Sequence, residues 1–257
     1  MINSMQTALI KKDIRGVTAN KNLFQALLIL PLIMAVILPA FFIFVTAFLE
    51  PADLQELLAS IGQGMLNSGL RETLIQLILN DITPFFFLMV PTLVAMVMAA
   101  SSFVGEKEKR TLETLLYCPL SLRQIFIAKI IAPFVLSQFV SIVSFAAMTL
   151  VAQTEILFIT GSLMLPGLSW PVLLLLVSPA ASMVMITLIV RDSAKDKSIE
   201  EAQQRSGLLI LPILLLVIGA ILISVWLLLG IGVFCAIVAL ILLRRSSVSF
   251  NYERLLQ

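Results

Sequence analysis

Nearly uncharged apolar stretches divide the chain, and each is long enough to form a helix that crosses a bilayer. About 20 apolar residues are needed to cross roughly 30 Å of hydrocarbon. The last stretch, residues 208–243, is too long to form one span, because a helix rises about 1.5 Å per residue. We therefore expect it to form two spans joined by a tight turn near Ser224–Leu228. The six predicted spans are residues 24–49, 82–104, 125–152, 170–190, 208–225 and 227–243.

Two further helices are predicted outside the spans. Residues 5–18 mix apolar and basic side chains, which is typical of a helix at a membrane interface. The outer loop, residues 50–81, carries apolar residues at helical spacing. This pattern fits an amphipathic helix on the outer membrane surface, and it fits equally well a plain connector whose apolar stripe packs on its own spans. The residues of the stripe are Leu66, Leu70, Leu74, Leu77 and Ile78.

The connection between the second and third spans predicts a short charged helix over residues 106–116. Gly105 is expected to end the preceding span, and Glu106 can pair with Arg110 one turn later. Pro119 stops the helix, and an S-x-x-Q capping box then starts the third span. The helix has a small apolar face made of Leu112, Leu115 and Leu116. This face suggests docking into a groove of a soluble partner, although a solvated loop remains an equal alternative.

The distribution of basic residues predicts the orientation. Of the 17 Lys and Arg residues, all but Arg71 fall in the N-terminal segment, in the loops after the second and fourth spans or at their edges, or in the C-terminal tail. Basic residues remain on the cytoplasmic side of a membrane. We therefore expect both termini to be cytoplasmic, which requires an even number of spans.

Composition excludes several classes of protein. Sixty percent of the 257 residues are hydrophobic and 12% are charged, whereas soluble domains have about 25% charged residues. A soluble globule, a nucleic-acid binder and a disordered chain are thereby excluded. The absence of histidine rules out His-based catalysis and His-ligated metal sites. Cys118 and Cys235 are expected to be free thiols in apolar surroundings.

The spans argue against two other membrane functions. The main alternative is an ion-coupled secondary transporter or a channel-like membrane protein without an ATPase partner. An ion-coupled transporter usually keeps charged residues inside the membrane, but Asp81 and Glu155 lie at span edges. An intramembrane enzyme would need paired carboxylates or a metal cluster, and neither is apparent. Ser137, Ser141 and Ser144 share one face of the third span. Small residues on such a face usually pack against another helix, and a lining of a transport path is the alternative.

The connection after the second span resembles a motif of the type-2 ABC exporter permease family. The family pattern is roughly G-E-[KR]-E-x-x-T-[LW]-E-x-L-L-x-x-P-x-[ST], followed by a lysine a few residues into the next helix. Segments 201–212 and 250–256 are also similar to the family. The matching positions are Gly105, Glu106, Glu108, Thr111, Leu112, Glu113, Leu115, Leu116, Pro119, Ser121 and Lys129.

The resemblance implies an all-α membrane protein that acts as a permease without a catalytic site of its own. Such permeases work in pairs, with a second copy or a related permease. Each engages a nucleotide-binding ATPase subunit that binds ATP and magnesium. This chain has no G-x-x-x-x-G-K-[ST] phosphate loop, so we expect the ATPase to be a separate polypeptide.

Within the chain, residues 106–116 would be the coupling helix seated in the ATPase, and residues 5–18 the connecting helix. The direction would be export through the cell membrane of a prokaryote. The sequence does not identify the cargo, although the uncharged spans favour an amphipathic or lipid-like one. The implied ATPase-coupling residues are Gly105, Glu106, Glu108, Arg110, Thr111, Leu112, Glu113, Leu115, Leu116 and Pro119.

Overall fold

The structure is a computed structural model that describes residues 4–19, 21–60, 69–108, 120–192 and 198–249. Within these ranges all regular secondary structure is helical, which confirms the all-α prediction for this part of the chain. The described helices, in chain order, are α1 (Ser4–Ala19), α2 (residues 21–46), α3 (Pro51–Ser60), α4 (Leu70–Glu108), α5 (Leu122–Thr160), α6 (residues 169–192), α7 (Ile199–Ile223) and α8 (Val225–Ser249).

Four segments of the described helices are long and apolar enough to cross a membrane. They lie in α4, α5, α6 and α8 and cover Leu70–Glu108, Gln124–Thr160, Ser169–Arg191 and Val225–Arg244. A shorter apolar segment, Ile33–Thr46, belongs to α2. These lengths and compositions are those of a membrane protein with several crossings.

Helix α4 lies at the centre of the bundle and packs against α2, α5, α6 and α7. Its middle carries Ala95, Ala99 and Ala100, which are fully buried. Small side chains allow neighbouring helix backbones to approach closely within a membrane. The close packing of α4 therefore follows from its own sequence.

Three π-helical turns interrupt α2, α4 and α6, and a proline stands two residues beyond each turn. The turns are Ile33–Ile37, Ile78–Ile82 and Leu173–Val177, and the prolines are Pro39, Pro84 and Pro179. A proline ring inside a helix clashes with the carbonyl group four residues earlier. In all three helices that carbonyl belongs to the π turn. The wider turn accommodates the proline, so the helix continues instead of ending.

The π turn of α4 leaves a backbone carbonyl without its usual donor. The amide of Thr83 donates to the carbonyl of Ile78 rather than to that of Leu79. Pro84, the next residue, has no amide hydrogen to offer. The indole Nε1–H of Trp170, in α6, donates to the Leu79 carbonyl at 3.3 Å. A side chain from another helix thus satisfies the group that the turn released.

Trp170 is almost fully buried, and aromatic rings surround it. Its ring centroid lies 5.4 Å from that of Phe87 and 5.3 Å from that of Phe145. Nearby, the amide of Gly167 donates to Oδ1 of Asn80 at 2.8 Å. These contacts fasten the connector between α5 and α6 to the π turn of α4.

The outer-loop prediction of a separate surface helix is wrong. Residues 70–81 are the first turns of α4 and continue without a break into the apolar segment. The stripe residues Leu74, Leu77 and Ile78 are buried, and Leu74 and Ile78 belong to the part of the core that contains Leu54 and Leu58 of α3. The alternative interpretation, a stripe that packs on the chain's own helices, describes this arrangement. Leu66 lies outside the described residues.

One other helix end differs from its predicted boundary, and the break predicted near Ser224–Leu228 is present. Helix α5 continues to Thr160 and ends at Gly161, whose φ of 72° suits a residue without a side chain. The long C-terminal stretch breaks at Ser224, which separates α7 from α8. The hydroxyl of Ser224 accepts the amide of Leu227 and so starts α8. Cys235 is buried and free, and Cys118 lies outside the described residues.

We predict that Trp170→Phe lowers the free energy of unfolding by about 1–3 kcal/mol, because the buried Leu79 carbonyl loses its donor. Phenylalanine retains most of the aromatic packing, so the loss reports the hydrogen bond. Thermal unfolding of the detergent-solubilised chain measures it. Trp226, which is 83% exposed, provides the control: Trp226→Phe should change stability by less than about 0.5 kcal/mol. Equal effects of the two substitutions would contradict the role of Trp170.

Candidate functional site

Four helices meet at one end of the bundle. Helix α1 packs along the start of α5 and also contacts α4, while α7 packs against α4. We call this region, formed by α1, the end of α4 and the starts of α5 and α7, the basic end. The segment 109–119 leaves it from Glu108 and returns to it at Leu120. The residues on either side of that segment therefore both belong to the basic end.

The carboxylate of Glu106 lies between two lysines from two other helices. Its Oε1 is 2.9 Å from Nζ of Lys12 in α1, and its Oε2 is 2.7 Å from Nζ of Lys129 in α5. The side chain of Lys129 is 4% exposed and that of Glu106 is 11% exposed, whereas that of Lys12 is 60% exposed. The pair with Lys129 is thus buried, and the pair with Lys12 extends it to the surface.

Lys129 has further partners that compensate for its burial. Its ammonium group donates to the backbone carbonyl of Ser102. It also lies 5.4 Å from the centroid of the Phe103 ring, within the range of a cation–π contact. A buried charge requires such compensation, because leaving water costs several kcal/mol. Lys129 therefore connects α5 to α4 through three separate contacts.

Asp13 adds a second carboxylate on the inner face of α1. The hydroxyl of Ser102 donates to its Oδ2 at 2.7 Å, and the residue is 9% exposed. Burial raises the pKa of Asp13 above its ordinary value, and the nearby charge of Glu106 acts in the same direction. The charge of Lys129 and the hydrogen bond from Ser102 partly oppose that rise in the pKa. The loss of contact with water is therefore the main cause of the raised pKa of Asp13.

The end of α4 also contacts the start of α7. The carboxylate of Glu108 accepts the amide of Ile199 at 3.4 Å, next to Ser198, whose hydroxyl accepts the amide of Glu201. Both contacts satisfy amides at the beginning of a helix, where no earlier carbonyl is available. A Cβ at Gly105 would lie 3.3 Å from Cδ1 of Ile199. Glycine at this position allows α7 to approach α4 closely.

The start of α5 carries the predicted capping box. The amide of Gln124 donates to the hydroxyl of Ser121, and the amide of Ser121 donates to Oε1 of Gln124. The side chain of Gln6, in α1, donates to the backbone carbonyl of Gln124 at 3.2 Å. Both ends of the segment 109–119 are therefore anchored, one by ion pairs and one by a helix cap.

The boundary predicted for the charged helix is wrong at its beginning. Gly105 does not end the preceding helix: α4 continues through Glu106 to Glu108. A glycine inside a helix costs only about 1 kcal/mol, and the ion pairs of Glu106 and the packing of Ile199 outweigh that cost. Glu106 therefore belongs to the base of the segment.

Seven of the predicted coupling residues lie outside the described part of the chain, so their assignment stays a prediction. They are Arg110, Thr111, Leu112, Glu113, Leu115, Leu116 and Pro119. The remaining three, Gly105, Glu106 and Glu108, are adjacent at the end of α4 and contact three different helices.

The serines of the third span lie on α5, and one of them, Ser141, contacts α6. Ser137, Ser141 and Ser144 are buried. The hydroxyls of Ser141 and Ser178 are 3.3 Å apart, and the side-chain amide of Gln138 donates to the hydroxyl of Ser182 at 2.8 Å. These contacts favour helix packing, and a lining of a transport path stays a prediction.

Sequence reasoning did not identify Lys12, Asp13 or Ser102 as part of the site. One signal was present: Asp13 falls at helical spacing with Leu9 and Val17 on the face of α1 that is buried. An acidic residue between buried apolar neighbours requires a buried partner. The sequence does not reveal that the partner is a serine 89 positions away.

Comparison with known proteins identifies one family. The family model described as "ABC-2 family transporter protein" matches residues 42–199. The match includes the end of α4, the segment 109–119 and all of α5 and α6. No curated protein matches the chain.

We predict strong coupling between Glu106 and Lys129. Glu106→Gln and Lys129→Met should each lower the free energy of unfolding by about 3 kcal/mol, because each removes one charge of the buried pair and leaves the other charge in place. The double variant should lose clearly less than the sum of the two, since it removes both charges. Denaturation of all four proteins in detergent measures this coupling. Additive losses would contradict the pair.

A second ion pair supplies the control for this experiment. Glu201 and Arg205 lie one turn apart on α7 at 3.3 Å, with side chains 44% and 38% exposed. Solvent weakens such a pair, so Glu201→Gln should change stability by less than about 0.5 kcal/mol.

The raised pKa of Asp13 predicts a pH dependence of stability. Between the ordinary pKa of an aspartate and the raised value, the folded chain keeps a proton that the unfolded chain has lost. The contribution of Asp13 to stability therefore falls as pH rises through that window. Thermal unfolding from about pH 4 to about pH 7 should show the wild type losing stability relative to Asp13→Asn. A relative gain of the wild type with rising pH would show that the nearby lysine charges outweigh the effect of burial on the pKa of Asp13.

Proposed function

The chain belongs to the ABC-2 transporter family, and on that premise we propose that it is the permease subunit of an ATP-binding cassette exporter. A separate ATPase subunit would bind and hydrolyse ATP with magnesium. The permease would carry cargo across the cell membrane. The observation that carries this proposal is the basic end, where contacts to three other helices hold the base of the family's most specific motif.

We propose six spans for this permease. The four apolar helices of the structure supply four of them, and α2 and α7 supply the others. Helix α2 carries the apolar segment Ile33–Thr46, and α7 contains a long uncharged stretch after Gly207. The distribution of basic residues favours cytoplasmic termini. On this orientation the basic end faces the cytoplasm, where ATP is available.

Coupling would proceed through the segment 109–119. The leucines of this segment would seat in the ATPase, and closure of the ATPase around ATP would displace them. Glu106 and Glu108 lie immediately before the segment on α4 and contact α1, α5 and α7. A displacement of the segment would therefore move four helices together. ATP shifts the equilibrium between the inward and outward forms of the permease only if it favours one of them. The connection through Glu106 and Glu108 would make the form of the permease depend on the state of the ATPase.

A working transporter in this family contains two permeases, and we propose that the partner is a second copy or a related chain. Surrounding lipid contacts the exposed apolar side chains of α5, among them Phe139, Ile142 and Leu150. The proposed location is the cell membrane of a prokaryote. An amphipathic or lipid-like cargo fits the uncharged spans.

We predict that the tagged chain, purified from membranes of its own host, carries an ATPase subunit with a G-x-x-x-x-G-K-[ST] motif. The double variant Leu112→Asp and Leu116→Asp should insert into the membrane normally but lose this subunit and its ATP hydrolysis, because charges replace the apolar face. Mass spectrometry of the purified complex and a phosphate-release assay measure both effects.

Leu163→Asp is the matched control. Leu163 is 67% exposed and lies in the connector between α5 and α6, at the opposite end of the bundle. This variant should retain the ATPase subunit and its activity. The proposal fails if the wild-type complex lacks an ATPase, or if the purified chain hydrolyses ATP by itself.

A further inference from the structure

Helix α1 has two chemically different faces. The face towards the bundle contains Gln6, Leu9, Asp13 and Val17, all of which are buried. The opposite face carries Lys11 and Arg15, which are exposed. Lys11 and Arg15 are four residues apart, so they are neighbours on one side of the helix.

The charges of α1 separate between these faces. Asp13, its only acidic residue, points inward, and its carboxylate accepts a hydrogen bond from Ser102. Lys12, at the border between the faces, is paired with Glu106. Lys11 and Arg15 form no ion pair with the described residues. The outward face therefore carries positive charge that α1 itself does not neutralise.

The position of α1 brings this face to the level of lipid headgroups. Only one residue separates α1 from α2. The first turns of α2 expose large apolar side chains, namely Phe24, Ile29, Leu32 and Ile33. In a membrane protein such side chains contact hydrocarbon. A cationic helix immediately before them lies where the hydrocarbon ends and the phosphate groups begin.

We propose that the outward face of α1 binds the headgroups of anionic phospholipids. Lys11 and Arg15 supply the positive charge, and Arg15 can also form two parallel hydrogen bonds with a phosphate. Asp13 is buried against Ser102, so no acidic group of α1 faces the lipid. This inference goes beyond the proposed transport function and does not require the ATPase.

Native mass spectrometry of the purified full chain, titrated with phosphatidylglycerol or phosphatidylcholine of identical acyl chains, tests the proposal. The wild type should bind phosphatidylglycerol more tightly. Each of Lys11→Gln and Arg15→Gln should weaken that binding about fivefold, and the double variant should weaken it further, because each cation near an anionic surface contributes a similar increment. Binding of phosphatidylcholine should not change.

Two controls make the outcome decisive. The charge-conserving variant Lys11→Arg with Arg15→Lys should retain the preference for phosphatidylglycerol; its loss would overturn a surface-charge mechanism. Soluble glycerol phosphate should not displace the lipid, because the site lies at the membrane surface, and displacement would assign the face to a free phosphate compound instead. Unchanged lipid binding by Lys11→Gln with Arg15→Gln would overturn the proposal. If this variant also lost the ATPase in phosphatidylcholine bilayers, the face would instead be a protein contact.

Discussion

A carboxylate that leaves water must find a cation, and this requirement fixes the basic end of the molecule. Glu106 is at the end of α4, and its two cations come from α1 and α5. Apolar packing alone would allow these helices to slide along one another, since it has no direction. Ion pairs and hydrogen bonds near Ser102 define where each helix stops relative to its neighbours. That arrangement fixes Glu108 and Leu120, the residues between which the segment 109–119 runs.

The opposite end of α4 follows the same rule with an uncharged group. The π turn before Pro84 leaves the carbonyl of Leu79 without a backbone donor, and the indole of Trp170 takes that place. Inside the bundle, an unpaired polar group is costly. Between the two ends, small alanines and paired serines set the spacing of helices. Polar groups thus specify the register of the bundle, and apolar surface supplies most of the contact.

The sequence predicted the features that depend on local pattern. The helical character, the Ser121 cap and the break near Ser224 all follow from neighbouring residues, as does the family. It failed where distant partners decide the outcome. Glycine often ends a helix, as Gly105 was expected to do, but contacts with Ile199 and Lys129 keep α4 continuous. The stripe from Leu70 to Ile78 fits a surface helix and a packed connector equally well, and only its contact with α3 decides between them. The inward Asp13 was visible as an anomaly, although Ser102 was not predictable from it.

The continuity of α4 gives the proposed transport mechanism a mechanical route. The helix runs 39 residues from Leu70 to Glu108, about 58 Å at the usual rise. Its π turn contacts Trp170 at one end, and its last turn contacts Lys12 and Lys129 at the other. A helix broken at Gly105 would absorb a displacement of the segment 109–119 in its own flexibility. An unbroken helix must pass it to α1 and α5 through the ion pairs of Glu106 with Lys12 and Lys129, and onward to the connector beside Trp170.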